Sequence, residues 1–136
     1  MYVASFSSVI EKTLKICKDF LGKNNFSDFQ FVDLGCGKGK SLIYYLEIYQ
    51  RHVKYPALGI EYDPNLYDIA KKNLELTCKN NFKIVKVILD SATNFNEHIT
   101  SNRLIIYLYN SFQGKTLDHV LNILCAYDHL LIYIDP

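Results

Sequence analysis

The chain has 136 residues, the length of a single domain, and 49% of them are hydrophobic, enough to build a core. Fifteen basic and 14 acidic residues leave a formal charge of +1, which excludes a chain that is basic throughout, as a general nucleic-acid or anionic-membrane binder would be. No apolar run approaches the roughly 20 residues a membrane-crossing helix needs, and Glu11 and Lys12 interrupt the apolar block a signal peptide requires, so a soluble, cytoplasmic protein is expected.

Apolar residues at spacings of three and four (Phe6, Val9, Ile10, Leu14, Ile16, Cys17, Phe20, Leu21) predict an amphipathic helix over residues 2–22, ended by Gly22 and "KNN". "FQFVDL" (29–34) predicts a strand running into a glycine-rich turn, and a helix follows over 40–51. "ALGIEY" (57–62) predicts a second strand. Asp63 and Pro64 read as the N-cap and first position of a helix that turns Leu66, Ile69, Ala70, Leu74 and Leu76 inward. "FKIVKVILD" (82–90) and the almost wholly apolar "RLIIYLYN" (103–110) predict a third strand and a central fourth. A helix over 114–127 and a strand over 129–135 complete the chain.

Strands alternate with helices, which predicts an α/β domain: a doubly wound, Rossmann-like, mostly parallel sheet with helices on both faces. Residues 1–136 read as one domain, with 1–28 as an N-terminal helix and lid and 29–136 as the core. In such a sheet, ligands bind beyond the carboxyl ends of the strands, where the strand order reverses. The four cysteines, Cys17, Cys36, Cys78 and Cys125, contain no C-x-x-C pair, so reduced thiols are expected, three of them facing the core, and no metal site.

The turn itself, "FVDLGCGKGKSL" (31–42), admits three ligands. A triphosphate loop needs G-x-x-x-x-G-K-[ST]; Gly39-Lys40-Ser41 supplies its tail, but Leu34 stands where its first glycine belongs. A dinucleotide fingerprint needs G-x-G-x-x-G; Gly35 and Gly37 match, but the third position holds Lys40. The third reading takes Asp33, Gly35, Cys36, Gly37 and Gly39 as a unit. An acidic residue followed by G-x-G-x-G at the end of the first strand resembles the first motif of the class I S-adenosylmethionine-dependent methyltransferases. Glycines let the backbone approach the donor's aminoacyl tail, Asp33 can take its amino group, and the helix N-terminus beyond favours its carboxylate.

The resemblance extends from about residue 29 to the end of the chain and implies a sheet ordered 3-2-1-4-5 and a donor site of S-adenosyl-L-methionine. Glu61, ending the second strand with Tyr62 beside it, corresponds to the acid that binds both ribose hydroxyls. In "LDSATNF" the adenine-reading acid corresponds to Asp90, with Ser91 and Ala92 lining the pocket through backbone atoms; read one residue later, Ser91 takes the acid's place. "YLYNSFQG" is similar to the N-P-P-Y or D-P-P-Y turn of family members that methylate nitrogen, and to the N-P-F turn of another group of small bacterial members. Asn110 would orient an amine and Phe112 would cover the site, although Ser111 replaces the proline. Tyr2 and Phe6 stand where the family places a lid. The acceptor stays open among protein, nucleic acid and metabolite.

The four histidines, His52, His98, His119 and His129, share no motif, and His98, in the loop before the fourth strand, is the least unpromising of them as a functional group. The family core has seven strands and this chain stops just past the fifth, as a fragment or a minimal domain would. An uncovered fifth strand invites pairing with a second copy. Two functions outside catalysis remain expectations: a donor-binding partner module, and a nucleotide-binding domain.

Overall fold

The computed structural model describes residues 7–78, 83–109 and 112–134. Five strands form one parallel sheet in the order β3-β2-β1-β4-β5. They are β1 (Gln30–Leu34), β2 (Ala57–Glu61), β3 (Val85–Leu89), β4 (Arg103–Tyr109) and β5 (Asp128–Ile134). The helices are α1 (Ser7–Leu21), α2 (Lys23–Phe26), α3 (Lys40–Tyr49), α4 (Pro64–Cys78) and α5 (Gly114–Leu124). The Rossmann-like α/β architecture and strand order agree with the sequence reading. The strands begin or end one to three residues away from the expected limits. The predicted cap of α4 is present: the Asp63 carboxylate accepts from the Asn65 and Leu66 N–H groups at 2.8 and 3.3 Å.

The burial of each strand follows its place in the sheet. β1 and β2 are buried at every residue, and β4 from Leu104 to Tyr109, because helices cover both of their faces. One core gathers Phe31, Ile105, Tyr107 and Ile132 of the sheet against Ile10, Leu14 and Cys17 of α1, Phe26 of α2, Leu42, Tyr45, Leu46 and Tyr49 of α3 and Leu74 of α4. In it, Phe31 and Tyr45 stack with ring centroids 4.6 Å apart. The other core packs Val32, Leu34, Leu58, Ile60, Ile106 and Leu108 against Val120 and Leu124 of α5 and Phe95 of a 3-10 segment, Ala92–Glu97. The order of the crossovers explains the division. The helices after β1 and β2 wind toward one edge and cover one face, whereas the connections after β3 and β4 return over the other.

The structure corrects several expectations. Ile16 and Phe20 are exposed at 58% and 76%, not part of the core, because the face of α1 that meets the sheet is the Ile10–Leu14–Cys17 stripe. Ile69 and Leu76 of α4 are likewise exposed. After Gly22 the chain makes the short helix α2, which seats Phe26 in the core. Cys17 and Cys36 are buried, Cys78 is half-buried and Cys125 is exposed. No described helix is long and apolar enough to cross a membrane.

Candidate active site

Four sequence-expected groups meet at the carboxyl end of the sheet. Asp33 lies in β1, Glu61 ends β2, Asp90 follows β3, and the glycine turn leads from β1 into α3. Parallel register aligns them: Asp33 pairs with Gly59, and Glu61 with Leu89. The turn is built from glycines because Gly35, Gly37 and Gly39 take φ values of 80°, 56° and 84°, a region L side chains avoid. Its backbone is tied to β2, since the Gly35 and Cys36 N–H groups both donate to the Ile60 carbonyl at 2.8 and 3.1 Å. Asn73 of α4 steadies the outer side, donating from Nδ2 to the Lys38 carbonyl at 3.0 Å.

The turn and the β2 carboxylate touch. Glu61, 8% exposed, accepts from the Gly37 N–H at 2.8 Å on Oε2 and from the Asp63 N–H at 3.1 Å on Oε1. Asp33 is 4% exposed and its Oδ2 accepts a hydrogen bond from Ser41, the second residue of α3. Burial pushes the Asp33 carboxyl up to about 7, the Ser41 hydrogen bond opposing this and the Glu61 charge adding to it. Burial likewise raises the Cys36 thiol, with the charges of Asp33 and Glu61 reinforcing it, so Cys36 packs as a neutral side chain. Two buried carboxyls and a glycine turn with positive φ thus share one corner of the sheet.

Asp90 adjoins them, its N–H donating to the Glu61 carbonyl at 3.1 Å. Its Oδ1 accepts from the Ser91 N–H at 2.7 Å and Asn94 Nδ2 at 2.9 Å, and its Oδ2 lies 2.8 Å from His98 Nε2. The His98 hydrogen bond, then those of Asn94 and Ser91, hold this carboxyl below the usual carboxylate range. The Ser91 hydroxyl caps the 3-10 segment, accepting from the Thr93 N–H at 3.3 Å, and Ala92 opens that segment half-buried. Glu97 brings a third ligand-type side chain within 4.8 Å of Asp90 and His98; an exposed acidic group of this sort is common without a metal.

Tyr62 is 79% exposed beside Glu61. Phe112 is half-buried and packs on the Val32–Leu124 core. Asn110, Ser111, Tyr2 and Phe6 fall outside the described residues. Sequence reasoning placed Ser41 in the tail of a triphosphate loop and missed it as the partner of Asp33. It also missed Asn94 and gave His98 no partner. The Asp90–His98 link spans the whole 3-10 segment, and no local pattern announces it.

Among the described residues, two cavities lie away from this corner. One, of about 140 Å³, is lined by α3, Gln50, α4 and Ile84. The other, of about 430 Å³, is a groove between α1 (Thr13, Ile16, Cys17, Phe20) and β5 from Leu130 to Ile134.

No protein-family model and no curated protein matches the sequence. Solved structures do resemble this one. An RNA methyltransferase from Salinibacter ruber, in complex with S-adenosyl-L-homocysteine, is 18% identical with a TM-score of 0.64 over 94% of this chain and 72% of its own. The methyltransferase domain of bacterial CtHen1 is 13% identical with a TM-score of 0.67, over 92% of this chain and 64% of its own. The plantazolicin methyltransferase BamL, in complex with a triazolic desmethylPZN analog and S-adenosyl-L-homocysteine, is 18% identical with a TM-score of 0.52, over 87% of this chain and 46% of its own. The chain thus has the fold of these methyltransferases and spans part of their length.

Proposed function

We propose that this chain binds S-adenosyl-L-methionine and transfers its methyl group. The observation that carries the reading is the contact between the glycine turn and Glu61, with Asp33 in β1 and Asp90 just past β3 on either side. The residues suit the donor's chemistry. Glu61 can accept from ribose hydroxyls, and a carboxylate there disfavours a phosphorylated ribose. The glycine turn, lacking Cβ atoms, gives room to an aminoacyl tail. Asp33 can pair with the tail's amino group, and Asp90 with the adenine. The fold shared with two structures that hold S-adenosyl-L-homocysteine supports the same reading.

The donor supplies a methyl carbon already activated by sulfonium. The protein's part is to align donor and acceptor and exclude water, so no general base is required for an acceptor of low pKa. A nitrogen acceptor rests on the Asn110-Ser111-Phe112 stretch, with Phe112 as the covering aromatic. The reading includes one domain over 1–136 with an N-terminal lid and a cytoplasmic setting, which four free thiols suit. It also includes self-association through β5, whose exposed side chains Leu131 and Tyr133 line one groove with the exposed Ile16 and Phe20.

Calorimetric titration of the donor tests the proposal. Wild type should bind with micromolar affinity, and Glu61→Ala should lose about a hundredfold, as two hydrogen bonds to a charged group disappear. Equal binding by both proteins rejects the site. Tritium transfer from labelled donor to cell extract then separates an enzyme from a module that binds the donor without turnover.

A further inference from the structure

We propose that His98 is a positioning residue for the donor's adenine: by donating to Asp90 it leaves that carboxylate one free acceptor position, which selects a 6-aminopurine over a 6-oxopurine. The inference rests on the donor-binding reading above and deepens it. An ionised carboxylate only accepts hydrogen bonds, and it has about four lone-pair positions. On Asp90, Oδ1 receives two donors, the Ser91 N–H at 2.7 Å and Asn94 Nδ2 at 2.9 Å. Oδ2 faces His98 Nε2 at 2.8 Å. Because the carboxylate has no proton to give, Nε2 must carry the hydrogen, which fixes the imidazole as a donor at this atom. One position on Oδ2 remains. A single N–H, such as the exocyclic amine of adenine, satisfies it, whereas a 6-oxo group would set acceptor against acceptor.

The arrangement is held from behind. The His98 N–H donates to the Phe95 carbonyl at 3.0 Å, and Phe95 is fully buried in the core under α5. Asp90 is tied through its own N–H to the Glu61 carbonyl, so the two carboxylates expected to read base and sugar share one rigid strand junction. Among the described residues packed here, the exposed Glu97 is the further charged group, within 4.8 Å of both Asp90 and His98. It receives no role in the proposal.

A histidine that merely braces the 3-10 segment would behave differently from one that orients a base-reading acid, and ligand selectivity separates the two. S-adenosyl-L-homocysteine and S-inosyl-L-homocysteine are titrated into wild type, His98→Gln, His98→Phe and Asp90→Asn. Wild type should prefer the amino form by tenfold or more, about the worth of one hydrogen bond to a charged group. His98→Phe should bind the amino form about tenfold more weakly and lose most of the preference. His98→Gln, whose amide can still donate to Oδ2, should keep it. Asp90→Asn, which places a donor among the acceptors, should narrow or reverse it even if His98→Phe fails to fold. An equal loss for both ligands in His98→Phe, unchanged binding in all variants, or no preference in wild type overturns the inference. Wild type that binds neither ligand overturns the donor-binding reading and this inference with it.

Discussion

Asp33 behaves unlike an ordinary surface acid, and its pH response is measurable. Its folded-state pKa is raised from 3.8 to about 7, so the folded protein holds a proton that the unfolded chain releases near pH 4. The contribution of this group to stability is therefore full below about pH 4 and declines as pH rises toward 7. Asp33→Asn should raise apo stability at pH 8, on the order of 4 kcal/mol in urea unfolding, and change little at pH 4. Donor binding should respond in the opposite sense. A cationic amino group needs the ionised carboxylate, so affinity should climb up to tenfold per pH unit as pH approaches 7 and level off above it. Calorimetry from pH 5.5 to 8 checks this, and a flat profile would show that Asp33 does not meet the donor. The pairing partner of this acid was not legible in the sequence, because Ser41 becomes its neighbour only when α3 folds back over β1.

At the scale of elements, the turn depends on β2 as much as on its own glycines. Gly59 makes room for it: a Cβ there would lie 2.7 Å from Leu42 Cδ1 and 2.8 Å from Cys36 Sγ, and both neighbours are buried. Gly59→Ala should cost about 1–3 kcal/mol by overpacking and should weaken donor binding too, as Cys36 moves; unchanged unfolding and binding would mean that the turn is looser than this packing implies. This glycine drew no notice in the sequence, where it reads as one small residue in an apolar strand. α1 shows a different limit. Its sequence offers apolar residues on more than one helical stripe, and only the sheet decides which is buried, leaving Ile16 and Phe20 outside. Phe20→Lys should therefore change stability by less than about 0.5 kcal/mol. Combined with Leu131→Lys it should shift a self-associating population toward monomer in sedimentation velocity; an unchanged distribution argues against the β5 edge as the contact.

For the whole molecule, the alternation of strands and helices made the class of fold legible, and the buried runs of β1, β2 and β4 marked the centre of the sheet. The strand order came from the family resemblance, and the sheet has that order. Asp33, the turn, Glu61 and Asp90 were legible because each sits at a strand end, where local pattern and topology coincide. His98, Asn94 and Asn73 were not, since their contacts depend on how loops fold over the sheet. A crystal structure with S-adenosyl-L-homocysteine tests the central claim most directly. The ribose hydroxyls should lie within hydrogen-bond distance of Glu61, with the aminoacyl tail against Gly35–Gly39 and the adenine amine at Asp90. A ligand bound elsewhere, or ribose hydroxyls out of reach of Glu61 at saturating concentrations of ligand, would contradict it.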